Sequence, residues 1–395
     1  MYIIFRIKHN LMLTCNFFAI IFTDYFYDGE FKMNKQLEIL KVTDYDKFKC
    51  IAEKCEFTCC SGWDINIDKN TLIKWKKDND NIFKNIETRK SVNSEGYIID
   101  KEIDDHCPFL DSNKLCTIVN KKGEDYLSLT CKSFPRIKNK FSETIELSLS
   151  CACPEVVEII NDLRDKLKLE GSSDLELREV LINIMKEPNI KLDQKLMISY
   201  QMLLDLFDGN INENEIEKYK NISNLKEILK MYDEIHFNID ESLEELNNLF
   251  LDITQDYKEV PILKKVLGNL WSLADTIDIE HIKFKWNDYK NMFERYNNLS
   301  ENCIVSKIIG SCISFDLEDI VVAYEMIILE YILIRYAGFL NYCSTGKIEV
   351  KDIKDYIVIF SRVIGNNSEA VLDFINEGFE DTILEFGYLC FICLF

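Results

Sequence analysis

Basic charge is scarce along this chain. Its 47 lysines and arginines face 68 aspartates and glutamates, for a net charge of −21. Nucleic-acid binding needs a basic face for the phosphates, so that class of function is set aside; an anionic membrane surface is disfavoured on the same ground. An acidic protein is better matched to a basic partner or to a lysine-bearing protein substrate. Proline and glycine are also sparse, at 5 and 13 residues, while 47% of the chain is hydrophobic. Such a chain can bury a core and is not a disordered one. No Gly-x-Gly-x-x-Gly loop occurs and strands do not alternate with helices, which argues against a doubly wound nucleotide-binding domain. The four histidines offer no Ser/His/Asp arrangement. Uninterrupted apolar runs are missing too. Residues 10–22 are too few to span a bilayer, and Glu325, Glu330 and Arg335 break up the apolar stretch Ile320–Tyr342, which reads as a central buried helix.

What is abundant is cysteine, and it is crowded. Nine of the 15 cysteines fall between residues 50 and 153, four of them in the run Cys50-x4-Cys55-x3-Cys59-Cys60. Cys107, Cys116, Cys131, Cys151 and Cys153 follow. Thiolates are soft ligands that select zinc, copper(I) or iron–sulfur clusters. A zinc ribbon would show paired Cys-x2-Cys knuckles, and this region has none. Four thiolates hold a cubane cluster, so nine candidates leave room for a second ion or for structural thiols. Adjacent side chains diverge, so Cys59 and Cys60 either serve different ions or divide into one ligand and one packing residue. His106, beside Cys107, is a further candidate ligand. Cys390-x2-Cys393 lies among Tyr388, Leu389, Phe391 and Ile392 and reads as core packing.

At 395 residues the chain exceeds the size at which one core usually keeps growing, and two domains are expected. Residues 33–153 form an irregular Cys-rich segment with short strands at Gly96–Ile99, Leu115–Val119 and Glu143–Leu149, which a bound metal would cross-link. Residues 154–395 read as helices. Pro154 opens the first, with Val156, Val157, Ile160, Leu163 and Leu167 on one face as far as Gly171. Ser173 and Glu176 make a capping box for the next. Leu196, Tyr200, Leu203 and Phe207 mark a third, closed by Gly209. The expected class is mainly α, an irregular metal-binding domain followed by a helical one. Residues 1–32 read as a leader outside the translated protein. Gly29-Glu30 is encodable by a purine-rich ribosome-binding sequence and Met33 follows at a short spacing, so translation is expected to start at Met33. A cytoplasmic protein with free or metal-bound thiols follows.

Five elements in sequence carry a resemblance: Cys50-x4-Cys55-Glu56-x2-Cys59-Cys60-x2-Trp63, Cys107-Pro108-Phe109-Leu110-Asp111, Cys116-x-Ile118, Cys131-x2-Phe134-Pro135-Arg136 and Leu149-Ser150-x2-Cys153-Pro154-Glu155. In that order they resemble the flagellin lysine-N-methylase family, within the wider class of proteins with a Cys-rich zinc- or iron-chelating cluster. The resemblance covers residues 45–160. It implies a bacterial enzyme that methylates flagellin lysines, using S-adenosylmethionine and a cysteine-bound iron–sulfur centre, with zinc as the alternative. The metal-ligand candidates are then Cys50, Cys55, Cys59, Cys60, Cys107, Cys116, Cys131 and Cys153. Cys151 departs from the pattern and competes with Cys153.

Methyl transfer sets its own requirements. A lysine attacks only when neutral, and deprotonation at pH 7 costs roughly 4–5 kcal/mol, so the site must desolvate the ammonium or offer a base. Tyr97, Tyr126, Asp104, Asp105 and His106 are candidates, none singled out. Arg136 is a candidate for the carboxylate of S-adenosylmethionine through a bidentate contact, and equally for a local structural carboxylate. The Cys-x3-Cys-x2-Cys run of radical S-adenosylmethionine enzymes is absent, because Cys60 follows Cys59 directly. A second reading stays open: a non-catalytic protein-binding module in which a structural zinc cluster staples the small domain.

Overall fold

The computed structural model describes residues 37–77, 86–91, 94–101, 107–113, 115–171, 173 and 175–395. Residues 1–32, Met33, Asp104, Asp105 and His106 therefore lie outside the described residues. Helix dominates, as the periodicity predicts, with short strands confined to the first part of the chain.

The strands make two sheets. In the first the order is β5 (Arg136–Lys140), β6 (Thr144–Leu149), β1 (Glu38–Val42) and β7 (Leu169–Glu170). β1 runs parallel to β6, and the other neighbours are antiparallel. The second sheet orders β2 (Asn66–Ile67), β4 (Ser94–Ile99) and β3 (Ile86–Ser91), all antiparallel. Because β7 pairs with β1, the first sheet takes strands from both sides of residue 153.

Two hydrophobic cores result. The larger runs from Leu40 in β1 through the helices to Phe395 and includes Leu149, Cys151 and Cys153. The smaller gathers Ile65, Ile67, Leu72, Trp75, Ile99, Cys107, Phe109 and Ile118, with Cys60, Cys116 and Cys131 packed against it.

The axis of the larger core is a 29-residue helix, Leu317–Thr345, buried continuously from Ile320 to Leu340. Asp316 caps its start by accepting from the Glu318 N–H, and Gly346, at φ 72°, ends it in the left-handed region. Among the described residues no helix is long and apolar enough to cross a membrane. Its charges are satisfied instead inside protein: Glu330 pairs with Lys307, and Arg335 donates to the Cys393 carbonyl at 2.7 Å. Helices Leu192–Phe207, Pro261–Ala274, Asn297–Ser311 and Val350–Phe360 pack around it. Helix Asn297–Ser311 lies on β6, and Gly310 permits that approach: a Cβ there would meet Ile137 Cδ1 at 3.1 Å.

Three local expectations change. Leu115–Val119 is not a strand. Leu110 and Cys116 make a single bridge, after which Thr117–Lys122 turns helical, with the Thr117 N–H and hydroxyl both donating to the Phe109 carbonyl. The helix begun by Pro154 ends at Asn161, so Leu163 and Leu167 are buried from the following loop. The Ser173/Glu176 box does not form either. Ser173 is drawn away to Glu146 Oε1 at 3.0 Å and to Arg178, within the buried Arg178–Glu146 pair at 2.6 Å. A fully buried guanidinium demands acceptors more strongly than a helix end does.

Candidate functional site: a cysteine cluster held by a buried arginine

The Cys-rich loop is placed by Arg362, a residue 300 positions away in sequence that is fully buried. It sits in a π-helical turn, Ser361–Gly365, which prolongs helix Val350–Phe360. Its Nε donates to the Ala152 carbonyl at 3.0 Å, Nη1 to those of Thr58 (2.9 Å) and Ser61 (3.1 Å), and Nη2 to that of Phe57 (2.8 Å). One planar fork thus ties residues 57–61 to the turn at Ala152, between Cys151 and Cys153. Gly62, at φ 85°, then turns the chain away; a Cβ there would lie 3.3 Å from Leu263 Cδ1. The Trp63 indole donates to the Cys59 carbonyl at 3.0 Å and packs on Phe134, their rings 5.3 Å apart.

This frame sorts the thiols into two neighbourhoods. Cys55 and Cys153 pack on the larger core, and Cys60, Cys107, Cys116 and Cys131 on the smaller one. Cys59 and Cys60 indeed diverge, though their thiols still touch, and Cys60 also meets the Cys107 thiol. The Cys107 N–H donates to the Cys60 carbonyl at 3.1 Å. Cys131 is set by the short helix Leu129–Ser133, where Ser128 accepts its N–H at 3.2 Å. Asp68 joins that helix to helix Lys69–Lys77 by accepting from the N–H groups of Leu129 and Thr71. Cys50 is exposed, and its sulfur accepts from the Ala52 N–H at 3.4 Å.

Proton affinities follow from crowding. Contact with the Cys107 thiol is the main cause that pushes Cys60 up to about 12. Burial drives Cys131 to about 11 and Cys153 to about 12. Without a counter-charge these groups stay thiols at neutral pH; a metal cation would be the agent that ionises them. The donor set fits a soft metal by type and neighbourhood. As placed, however, no three His, Cys, Asp or Glu side chains among the described residues converge to hold an ion, and no chemical step is built on one here.

The other sequence candidates disperse. Arg136 is exposed on β5, where its guanidinium stacks 4.8 Å from the Phe48 ring centre and its Nη2 reaches the Phe48 carbonyl at 3.5 Å. Tyr97 lies under Lys76, and Tyr126 under both Lys74 and Lys122. Cys390 and Cys393 are core residues, as expected. Beside Cys55, a groove of about 230 Å³ is edged by Glu56, Asp352 and Asp355 together with Phe57 and Tyr356. Burial holds the Asp355 carboxyl above its ordinary value. Sequence reading missed Arg362, although a lone cation inside Tyr356–Ile364, otherwise apolar but for Ser361, was a signal that it must be paired within the protein.

A helical body carrying an arginine-anchored cysteine loop is the architecture on which the comparisons bear. Residues 178–392, more than half of the chain, match the FliB lysine N-methylase C-terminal domain, and the chain belongs to that family. Lysine-N-methylases of Salmonella typhimurium strain LT2 and Salmonella choleraesuis strain SC-B67 are each 33% identical over 135 residues, 32% of this chain and 34% of theirs. The flagellar biosynthetic protein FliU of Salmonella muenchen is 35% identical over 141 residues, 32% of this chain and 80% of that protein. The match thus spans about a third of the lysine-N-methylases' length. No solved structure matches the chain.

Proposed function

We propose that this protein is a cytoplasmic protein-lysine N-methyltransferase acting on flagellin, with S-adenosylmethionine as methyl donor and a cysteine-bound metal, an iron–sulfur centre, in the Arg362-anchored loop. The observation that carries the reading is membership of the lysine N-methylase family across residues 178–392, joined to the fact that Arg362, inside that span, fixes the Cys-rich loop through four carbonyls.

The donor supplies a sulfonium methyl group, which passes to the lysine nitrogen while the carbon–sulfur bond electrons return to sulfur. The protein must bring in an ammonium and relieve it of a proton. The groove beside Cys55 suits the first task, since Glu56, Asp352 and Asp355 line it with negative charge. Burial favours proton uptake by Asp355, which suits the second. The metal candidates are Cys50, Cys55, Cys59, Cys60, Cys107, Cys116, Cys131 and Cys153.

The test is incubation of anaerobically purified full-length protein with flagellin and S-adenosylmethionine, followed by mass spectrometry of flagellin peptides. Methyl increments on lysine are expected. Unmodified flagellin, with one zinc bound per chain, would instead favour the non-catalytic module with a structural zinc cluster.

A further inference from the structure

A second cleft, of about 440 Å³, opens where the start of helix Leu192–Phe207 meets helix Lys285–Phe293 and the central helix. In a chain of net charge −21 it is notable for its cations. Arg335, only 4% exposed, lines it. Its guanidinium lies 4.7 Å from the Trp286 ring centre, and Nη1 donates to the Cys393 carbonyl and stands 3.7 Å from Asp193 Oδ2. Its Nη2 is buried with no hydrogen-bond partner among the described residues, the Tyr331 hydroxyl lying beside the guanidinium. Lys290, on the same cleft, donates to the Phe395 carbonyl at 2.9 Å and makes no ion pair among the described residues. Burial, then repulsion from Arg335, lowers Lys290 to about 8. Two neighbouring cations without a full carboxylate partner form a seat for a carboxylate. Asp193 beside them offers the complementary place for an ammonium, and Tyr232, Phe293 and Tyr331 supply flat apolar wall.

We propose that this cleft binds the methyl donor, with its α-carboxylate on Arg335 and Lys290, its α-ammonium on Asp193 and its purine along the aromatic wall. The assignment rests on the methyltransferase reading and locates the donor on the helical body, away from Arg136.

The test is calorimetric binding of S-adenosylhomocysteine and of 5′-methylthioadenosine, which lacks the amino-acid end, to the full-length protein with its native metal. S-adenosylhomocysteine is expected to bind at least about tenfold tighter, as one charge-assisted contact requires. Lys290→Ala and Asp193→Asn should each erase about that factor for S-adenosylhomocysteine while leaving 5′-methylthioadenosine binding and the melting temperature unchanged. Arg136→Ala should change neither ligand. If both cleft variants bind S-adenosylhomocysteine like wild type, or if only Arg136→Ala loses it, the cleft assignment is overturned and the methyltransferase reading stands. If wild type binds no S-adenosylhomocysteine, both fall.

Discussion

Replacing Arg362 by alanine should detach the cysteine loop. Four hydrogen bonds from a charged donor are lost, at 2.8–3.1 Å, and the carbonyls of Phe57, Thr58, Ser61 and Ala152 lose their donors. At about 1 kcal/mol net for each bond, and with some acceptors rehydrated as the loop lifts, the expected destabilisation is about 3–5 kcal/mol. That is a large fraction of the roughly 5–15 kcal/mol by which domains are stable. Removing the charge also relieves its own desolvation, which burial makes the first cause lowering the Arg362 pKa; the upper end of the range is therefore not expected. Lysine keeps the charge but cannot reproduce the fork, so Arg362→Lys should recover less than half of the loss. The assay is urea unfolding of the full-length protein followed by helical circular dichroism and by tryptophan fluorescence. Trp63 sits in the loop, while Trp271 and Trp286 sit in the helical body, so loop release should alter emission before helix is lost. Metal content should fall in parallel. Unfolding within about 1 kcal/mol of wild type and an unchanged metal content would refute the anchoring argument.

Other outcomes follow from the same geometry. Burial raises Glu325 from 4.5 to about 8. The folded state therefore binds the extra proton between those values, and stability should fall as pH rises through that interval; Glu325→Gln should flatten the profile, as denaturant titrations at either end would reveal. Arg178→Met strands the buried Glu146 carboxylate and should cost about 3–5 kcal/mol, whereas the double replacement Arg178→Met with Glu146→Leu should restore most of it, read as a double-mutant cycle. Anaerobic protein should contain about four iron and four sulfide per cubane. Cys60→Ser and Cys107→Ser should lower that content and Cys390→Ser should not; equal content in all three would remove the loop cysteines from the ligand set.

Much of the helical body was legible because burial repeats with helical period, as Leu196, Tyr200 and Leu203 demonstrate: all are buried in one helix. The cysteine crowding was legible as composition. What escaped were contacts across long sequence separation. Ser173 looked like a cap because local spacing cannot reveal that Glu146 and Arg178 meet beside it. Arg335 and Arg362 read only as interruptions in apolar stretches, since nothing in the sequence states which carbonyls or carboxylates fold against them. Leu115–Val119 has strand composition, but the Phe109 carbonyl captures Thr117 and starts a helix.

The family match begins at Arg178 and contains Arg362. Both guanidiniums are spent on acceptors that precede it, in β6, at Ala152 and in residues 57–61. Excised as residues 178–392, the segment would carry two interior cations facing empty space, and the Ser306 hydroxyl would lose the Leu149 carbonyl as well. The stretch that evolution repeats as a recognisable text is thus not one that physics would let stand alone, and a truncation meant to isolate it should yield insoluble protein.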